Sequence, residues 1–259
     1  MSRIESVFTA GHRPALIAYV TVGYPSVAAT LEVVPALAEA GCDIVELGIP
    51  FSDPLADGTT IQAASAAALA AGVTPTACLE VAAELRRKVE LPLLFMTYYN
   101  PVLRFGLDEF CAAGARSGID GLIVPDLPPD EADDLDAASR QHGLDVVYLL
   151  APTSTEERIR LVARRSRGFI YLVSLVGVTG ARSRLSEGLD DLVARVRRHT
   201  TMPICVGFGI GTPEQAKRVG QVADGVIVGS RLVQLVNEDT PPYHKVRDFA
   251  ASLRAALDS

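Results

Sequence analysis

The stretch Asp43–Gly58, DIVELGIPFSDPLADG, divides into a strand and a loop. Ile44, Val45 and Leu47 are apolar and partly β-branched, as buried strands are. Gly48 and Pro50 end the run. The loop that follows carries Asp53, Pro54 and Asp57 and closes on Gly58. Glu46 stands inside the apolar run, where a carboxylate is costly unless it is paired, solvated or used. It is either a structural carboxylate that caps backbone donors or a general acid/base whose pKa burial raises toward neutrality. Asp57 is either half of an Asp-Gly turn or an acceptor for a substrate N–H. Asp53 can hold the loop through an Asx turn.

Outward from this stretch the same pattern recurs. Short runs rich in Val, Ile and Leu start near Ala15, Leu93, Gly121, Asp145, Phe169, Ile204 and Gly225, each followed by a helical pattern. Strands buried on both faces read as continuous apolar runs. Strict alternation of strand and helix gives a parallel sheet. Eight such units in 259 residues predict one (β/α)₈ barrel domain spanning residues 1–259, with an open doubly wound sheet as the competitor. Two intervals are long. Ile44 to Leu93 holds the acidic loop and an added helix. Phe169 to Ile204 holds GVTGARSRLSEG (Gly177–Gly188), polar and glycine-rich, which predicts a mobile lid after strand six.

The last two predicted strands end in glycine. The seventh runs into Gly207-Phe208-Gly209-Ile210-Gly211, then Thr212 as an N-cap and Pro213 at the first helical position. The eighth runs into Gly229-Ser230. Loops after strands seven and eight are where barrels hold phosphate, on backbone N–H groups and a helix N-terminus. The absence of GxxxxGK[ST] argues against an NTPase. Tyr19, Met96, Tyr98, Ile123, Tyr171, Phe208 and Ile227 lie in or just after strands. Core packing is the default for each; together they can line a flat pocket for an aromatic ring.

Composition excludes several classes. A net charge of −7 without a basic stripe argues against a nucleic-acid partner. Arg164, Arg165 and Arg167, like Arg195, Arg197 and Arg198, fit solvated helix faces. Cys42, Cys78, Cys111 and Cys205 show no ligand or disulfide spacing, and no histidine has a neighbour at metal-ligand spacing. The first residues lack the apolar core of a signal peptide, and Ala63–Ala71 is too short to span a bilayer, so a cytoplasmic protein without a membrane partner is expected. Lys88, Lys217 and Lys245 fall on predicted helices, so a Schiff-base aldolase lacks its strand lysine.

ELGIPFSDPLADG at Glu46–Gly58 resembles the signature of the tryptophan synthase alpha chain family. The resemblance extends through LIAYVTVGYP (Leu16–Pro25), MTYYNP (Met96–Pro101), GLIVPDLP (Gly121–Pro128), YLVSLVGVTGAR (Tyr171–Arg182), VGFGI (Val206–Ile210) and VGS (Val228–Ser230). It implies a (β/α)₈ TIM barrel that cleaves indole-3-glycerol phosphate to indole and glyceraldehyde 3-phosphate. Glu46 would be the general acid/base and Asp57 the indole N–H acceptor. Gly180, Gly209, Gly229 and Ser230 match phosphate-binding positions, Thr179 the lid threonine, and Tyr171 a tyrosine close to the glutamate. The implied partner is the beta chain, which holds pyridoxal phosphate in an α₂β₂ heterotetramer and is faced by the loop Pro50, Phe51, Asp53 and by the lid. This chain itself is expected to need no cofactor and no metal. Tyr24 stands where the family often has aspartate, and Leu175 and Val176 replace more polar residues. The rivals are another phosphate-binding barrel, such as an indole-3-glycerol phosphate synthase or a phosphoribosyl isomerase, and a non-catalytic activator of the beta chain. The synthase wants a strand lysine, and the presence of both Glu46 and Asp57 speaks against the activator.

Overall fold

The computed structural model describes residues 1–9, 13–173, 184–207 and 209–259, residues 184–187 by backbone alone. Its strands are β1 (Ala15–Thr21), β2 (Ile44–Gly48), β3 (Leu93–Met96), β4 (Gly121–Ile123), β5 (Asp145–Val147), β6 (Leu149–Leu150), β7 (Ile170–Val173), β8 (Ile204–Gly207) and β9 (Gly225–Val228). All pairings are parallel, in the order β5-β4-β3-β2-β1-β9-β8-β7-β6. The ends of this order, β5 and β6, are consecutive halves of one strand position, so the sheet closes into a barrel. The open-sheet alternative is thereby excluded.

The fifth strand, expected unbroken over Asp145–Leu150, divides at Tyr148. The Tyr148 N–H donates to Ser166 Oγ at 3.0 Å instead of to a ladder partner, and its hydroxyl donates to buried Asp136 at 2.7 Å. Its carbonyl accepts from the Tyr171 N–H at 3.1 Å. These bonds let the first half pair with β4 and the second with β7.

Strand parity sorts the core into two clusters. Leu16, Ala18, Val45, Leu47, Phe95 and Val226 point outward and pack beneath the helices. Ile17, Tyr19, Ile44, Leu94, Met96, Ile123, Tyr171 and Ile227 point into the barrel. Both sets are buried, which is why the strands read as unbroken apolar runs. Glu46 shares its parity with Ile44 and therefore faces the interior.

The outer layer comprises α2 (Val27–Glu39), α3 (Thr59–Ala70), α4 (Pro75–Arg86), α5 (Tyr99–Phe105), α6 (Leu107–Arg116), α7 (Asp133–Gln141), α8 (Glu156–Arg165), α9 (Arg184–Arg197), α10 (Pro213–Gly220), α11 (Ser230–Glu238) and α12 (His244–Leu257). Ser26, Thr74, Thr155 and Thr212 cap α2, α4, α8 and α10, each accepting an N–H from the first turn. Two helices go beyond the sequence reading. One is α5, which opens at Tyr99 and shortens β3. The other is α1 (Arg3–Thr9), which closes the end of the barrel where the strands begin. Its Ile4 is buried in the inner cluster, Phe8 meets Phe169 with ring centroids 6.1 Å apart, and Ser2 Oγ donates to Asp145 at 2.5 Å. Lys88 lies in the turn after α4, not on the helix, and no described strand carries a lysine.

The start of β2 is fixed from three sides. Asp43 accepts from the Leu16 N–H at 2.8 Å and pairs with Arg13 at 2.8 Å and Arg254 at 3.1 Å. Arg254 is almost fully buried and also donates to the Pro14 carbonyl, so α12 anchors the strand that carries Glu46.

Candidate active site

A cleft of about 270 Å³ opens where the strands end. Its walls come from β1 (Tyr19), β2 (Glu46), the acidic loop (Asp57, Gly58), α3 (Ile61), β3 (Met96), β7 (Tyr171), β9 (Ile227) and the turns that open α10 and α11. Glu46 is 0% exposed, and neither carboxylate oxygen has a hydrogen-bond partner among the described residues. The alternative of a carboxylate that caps backbone donors finds no such donor among the described residues. Burial pushes its pKa up to about 8, so the acid is largely protonated at neutral pH.

Asp57 is half-buried, and burial raises its pKa to about 6 against the opposing effect of a hydrogen bond from Tyr98. At pH 7 it is mostly the carboxylate. Two carboxyls on one cleft are thus held in different protonation states, an arrangement suited to acid/base chemistry.

Tyr98 is brought to Asp57 but does not line the cleft. Its hydroxyl accepts the Ala56 N–H at 2.9 Å, and its ring stacks on Phe51 at 5.3 Å. It holds the acidic loop instead of forming the pocket wall. Ile123 is likewise inside the barrel, below the cleft, and absent from its walls. Tyr19, Met96, Tyr171 and Ile227 form the apolar wall as the sequence pattern suggests. The Tyr171 hydroxyl lies over Gly207, where an added Cβ would stand 2.4 Å from it. Burial first, then Glu46, then Asp57, raise the Tyr171 pKa well above its ordinary value.

Across the cleft lie Gly209, Gly211, Gly229 and Ser230. Gly209 has φ +78°, a conformation that L side chains rarely adopt. The two helix openings differ. At α10, Thr212 and Gln215 form a capping box, and Gln215 Oε1 also accepts the Gly211 N–H at 2.8 Å. At α11, Gly229 is the N-cap and supplies no side-chain acceptor to the first turn. That turn therefore offers its N–H groups and the positive end of its dipole to the cleft.

Three residues absent from the sequence reading complete the walls: Ile61, Arg231 and Gln234. Nothing in an isolated sequence marks them, because α3 and α11 reach the cleft only after the barrel closes. Gln234 ties the two helices by donating to Thr60 Oγ1 at 3.3 Å. Thr179, Gly180, Phe208, Leu175 and Val176 lie outside the described residues. So does the lid segment up to Ser183; its remainder is not loop, since α9 begins at Arg184.

A family model described as tryptophan synthase alpha chain matches residues 7–256. The chain belongs to the tryptophan synthase alpha chain family. A curated relative of that name from Dehalococcoides mccartyi is 57% identical over 258 residues, covering 100% of both chains. The ligand-free tryptophan synthase structure from M. tuberculosis matches with a TM-score of 0.91 at 41% identity, covering 100% of both chains. The alpha subunit of tryptophan synthase from Legionella pneumophila gives 0.92 at 34% identity, covering 100% of this chain and 99% of that one.

Family membership makes the chain a lyase of the alpha reaction, which cleaves indole-3-glycerol phosphate to indole and D-glyceraldehyde 3-phosphate. It also implies a small-molecule substrate and a beta-chain partner. Among the described residues no single helix is long and apolar enough to cross a membrane, and no group of three or more metal-ligating side chains occurs. Tyr24 is half-buried and packs on the barrel's inner cluster.

Proposed function

We propose that Glu46 and Asp57 carry the cleavage, with the turns at Gly209 and Gly229-Ser230 holding the substrate phosphate. The observation that carries this reading is a fully buried carboxyl group, without a hydrogen-bond partner among the described residues, that lines one apolar slot with the uncapped N-terminus of α11. Protonated Glu46 gives its proton to C3 of the indole ring. The resulting electron deficit moves to the ring nitrogen, where the Asp57 carboxylate accepts the N–H hydrogen bond and opposes the charge. The Glu46 carboxylate then takes the proton of the hydroxyl on the carbon attached to C3. The C–C bond breaks, its electron pair returns to the ring, and the oxygen becomes the aldehyde carbonyl. Glu46 ends protonated, as it began.

Binding divides between the two ends of the slot. The phosphate sits on N–H groups of the α11 first turn, with Ser230 and Gly229 beside it and Gly209 opposite. The resemblance assigns Gly180 to the phosphate and Thr179 to the lid; both lie outside the described residues. The indole ring lies among Tyr19, Met96, Tyr171 and Ile227; the resemblance assigns Phe208 to the same pocket. No step calls on a metal or an organic cofactor in this chain; pyridoxal phosphate belongs to the beta chain.

The beta chain completes an α₂β₂ heterotetramer in the cytoplasm, docking on the acidic loop. There Pro50 is buried and Phe51 is stacked on Tyr98, while Asp53 is exposed and Leu55 is 92% exposed. An apolar side chain held in water on the rim of the cleft suits a surface that a partner covers. The test is indole release from indole-3-glycerol phosphate by the purified chain, alone and with a beta chain. Release that the beta chain accelerates agrees with the reading; no release in either case overturns it.

A further inference from the structure

The Tyr19 ring spans the cleft from its phosphate side to its acid side. β1 lies between β9 and β2, and Tyr19 pairs in register with Glu46, both side chains facing inward. At one end, an added Cβ on Gly229 would stand 3.4 Å from Tyr19 Cβ. At the other, an added Cβ on Gly48 would stand 2.1 Å from the Tyr19 hydroxyl oxygen. The hydroxyl therefore fills the space of the missing side chain at the inward position directly beyond Glu46. It accepts a long hydrogen bond from Thr21 Oγ1 at 3.4 Å, and its own proton has no recorded acceptor among the described residues. Burial first, then Asp57 and Glu46, raise its pKa, so the phenol stands within electrostatic reach of both acids.

The reaction cycle leaves Glu46 ionised once it has delivered its proton, in a site where no described residue donates to the carboxylate. We propose that Tyr19 is a positioning residue for the lyase step: its hydroxyl donates a hydrogen bond to the Glu46 carboxylate while that carboxylate waits for the substrate hydroxyl proton. This rests on the reading of Glu46 as the acid/base. Thr21 fixes the phenol oxygen as an acceptor, which directs the phenol proton away from Thr21. Gly48 is required because any side chain there would expel the hydroxyl. The other titratable groups around the pair are Asp57 on the acidic loop, Tyr98 after β3, Tyr171 on β7, Cys205 on β8 and Arg231 on α11. Of these, Asp57 is a carboxylate and offers the ionised Glu46 no donor.

Tyr19→Phe keeps the ring and removes the donor. A hydrogen bond to the charged form lowers an acid's pKa, so its loss moves the alkaline limb of kcat/KM upward. The full chain with its beta chain is assayed for indole release across pH 6 to 10, with a melting curve to establish folding. The proposal expects kcat to fall about tenfold with KM within twofold, and the alkaline limb to move up by about half a unit or more. An unchanged limb overturns it, whether kcat is retained or KM alone rises, because the ring then acts by packing only. A parent chain that releases no indole defeats the reading of the site; a parent that is active beside an indifferent Tyr19→Phe defeats only this inference.

Discussion

Replacing Glu46 by Gln should make the protein more stable at neutral and alkaline pH while impairing its chemistry. Burial raises the Glu46 pKa from 4.5 to about 8. Between those values the folded state holds a proton that the unfolded state has released, so stability falls as pH rises through this window. Each unit is worth about 1.4 kcal/mol. Allowing for partial titration at both ends, the parent loses about 3–4 kcal/mol to this one group between pH 5 and pH 8. Glutamine does not titrate, and its side chain is close in volume. The comparison is made by urea denaturation of parent and Glu46→Gln at half-unit intervals from pH 5 to pH 8.5. Every other titrating group is common to both proteins, so it is the difference between them that reports on Glu46. That difference should shift in favour of the variant by about 3–4 kcal/mol across the range, or roughly 6–16 °C in melting temperature for a chain of this size. A difference that stays flat with pH would mean that Glu46 ionises normally in the folded protein, and the acid role built on its burial would fail.

Asp57→Asn keeps the turn but removes the charge; turnover should drop about a hundredfold or more with the melting temperature little changed, checked by steady-state kinetics beside calorimetry. Gly209→Ala and Gly209→Asp both meet the positive φ and should each lose about 1 kcal/mol of stability by denaturation. Only the aspartate should also weaken substrate binding, and that extra loss should shrink with added salt. For the parent, kcat/KM should fall as pH rises through about 8, as Glu46 loses the proton it must donate, and a pH–rate profile measures this directly.

Much of the barrel can be read from parity and alternation. Ile44, Glu46 and Gly48 share a face because strand side chains repeat every two residues. Once Ile44 is assigned to the interior, the glutamate must follow. The glycine turns at Gly209 and Gly229 are equally visible as turns, since glycine between a strand and a helical pattern marks a tight change of direction. Features that depend on long-range closure are not visible. Tyr98 has the composition of a pocket residue, yet it turns to the acidic loop because Ala56 and Asp57 offer its hydroxyl partners. The division of the fifth strand at Tyr148 depends on Ser166 and Asp136, which reach it from other elements. The α1 plug gains its stability from Phe169 and Asp145, not from its own seven residues, for which isolated helix formation is unfavourable. The fit of the Tyr19 hydroxyl above Gly48 joins two strands and leaves no trace in either sequence alone.

The central claim concerns the proton that Glu46 carries, and single-turnover indole release by Glu46→Gln, with substrate affinity measured on the same preparation, tests it most directly. The account predicts a rate about 10²–10⁴-fold below the parent, the usual contribution of a positioned acid/base, with the dissociation constant within a few-fold. Indole release within tenfold of the parent at unchanged affinity would contradict it.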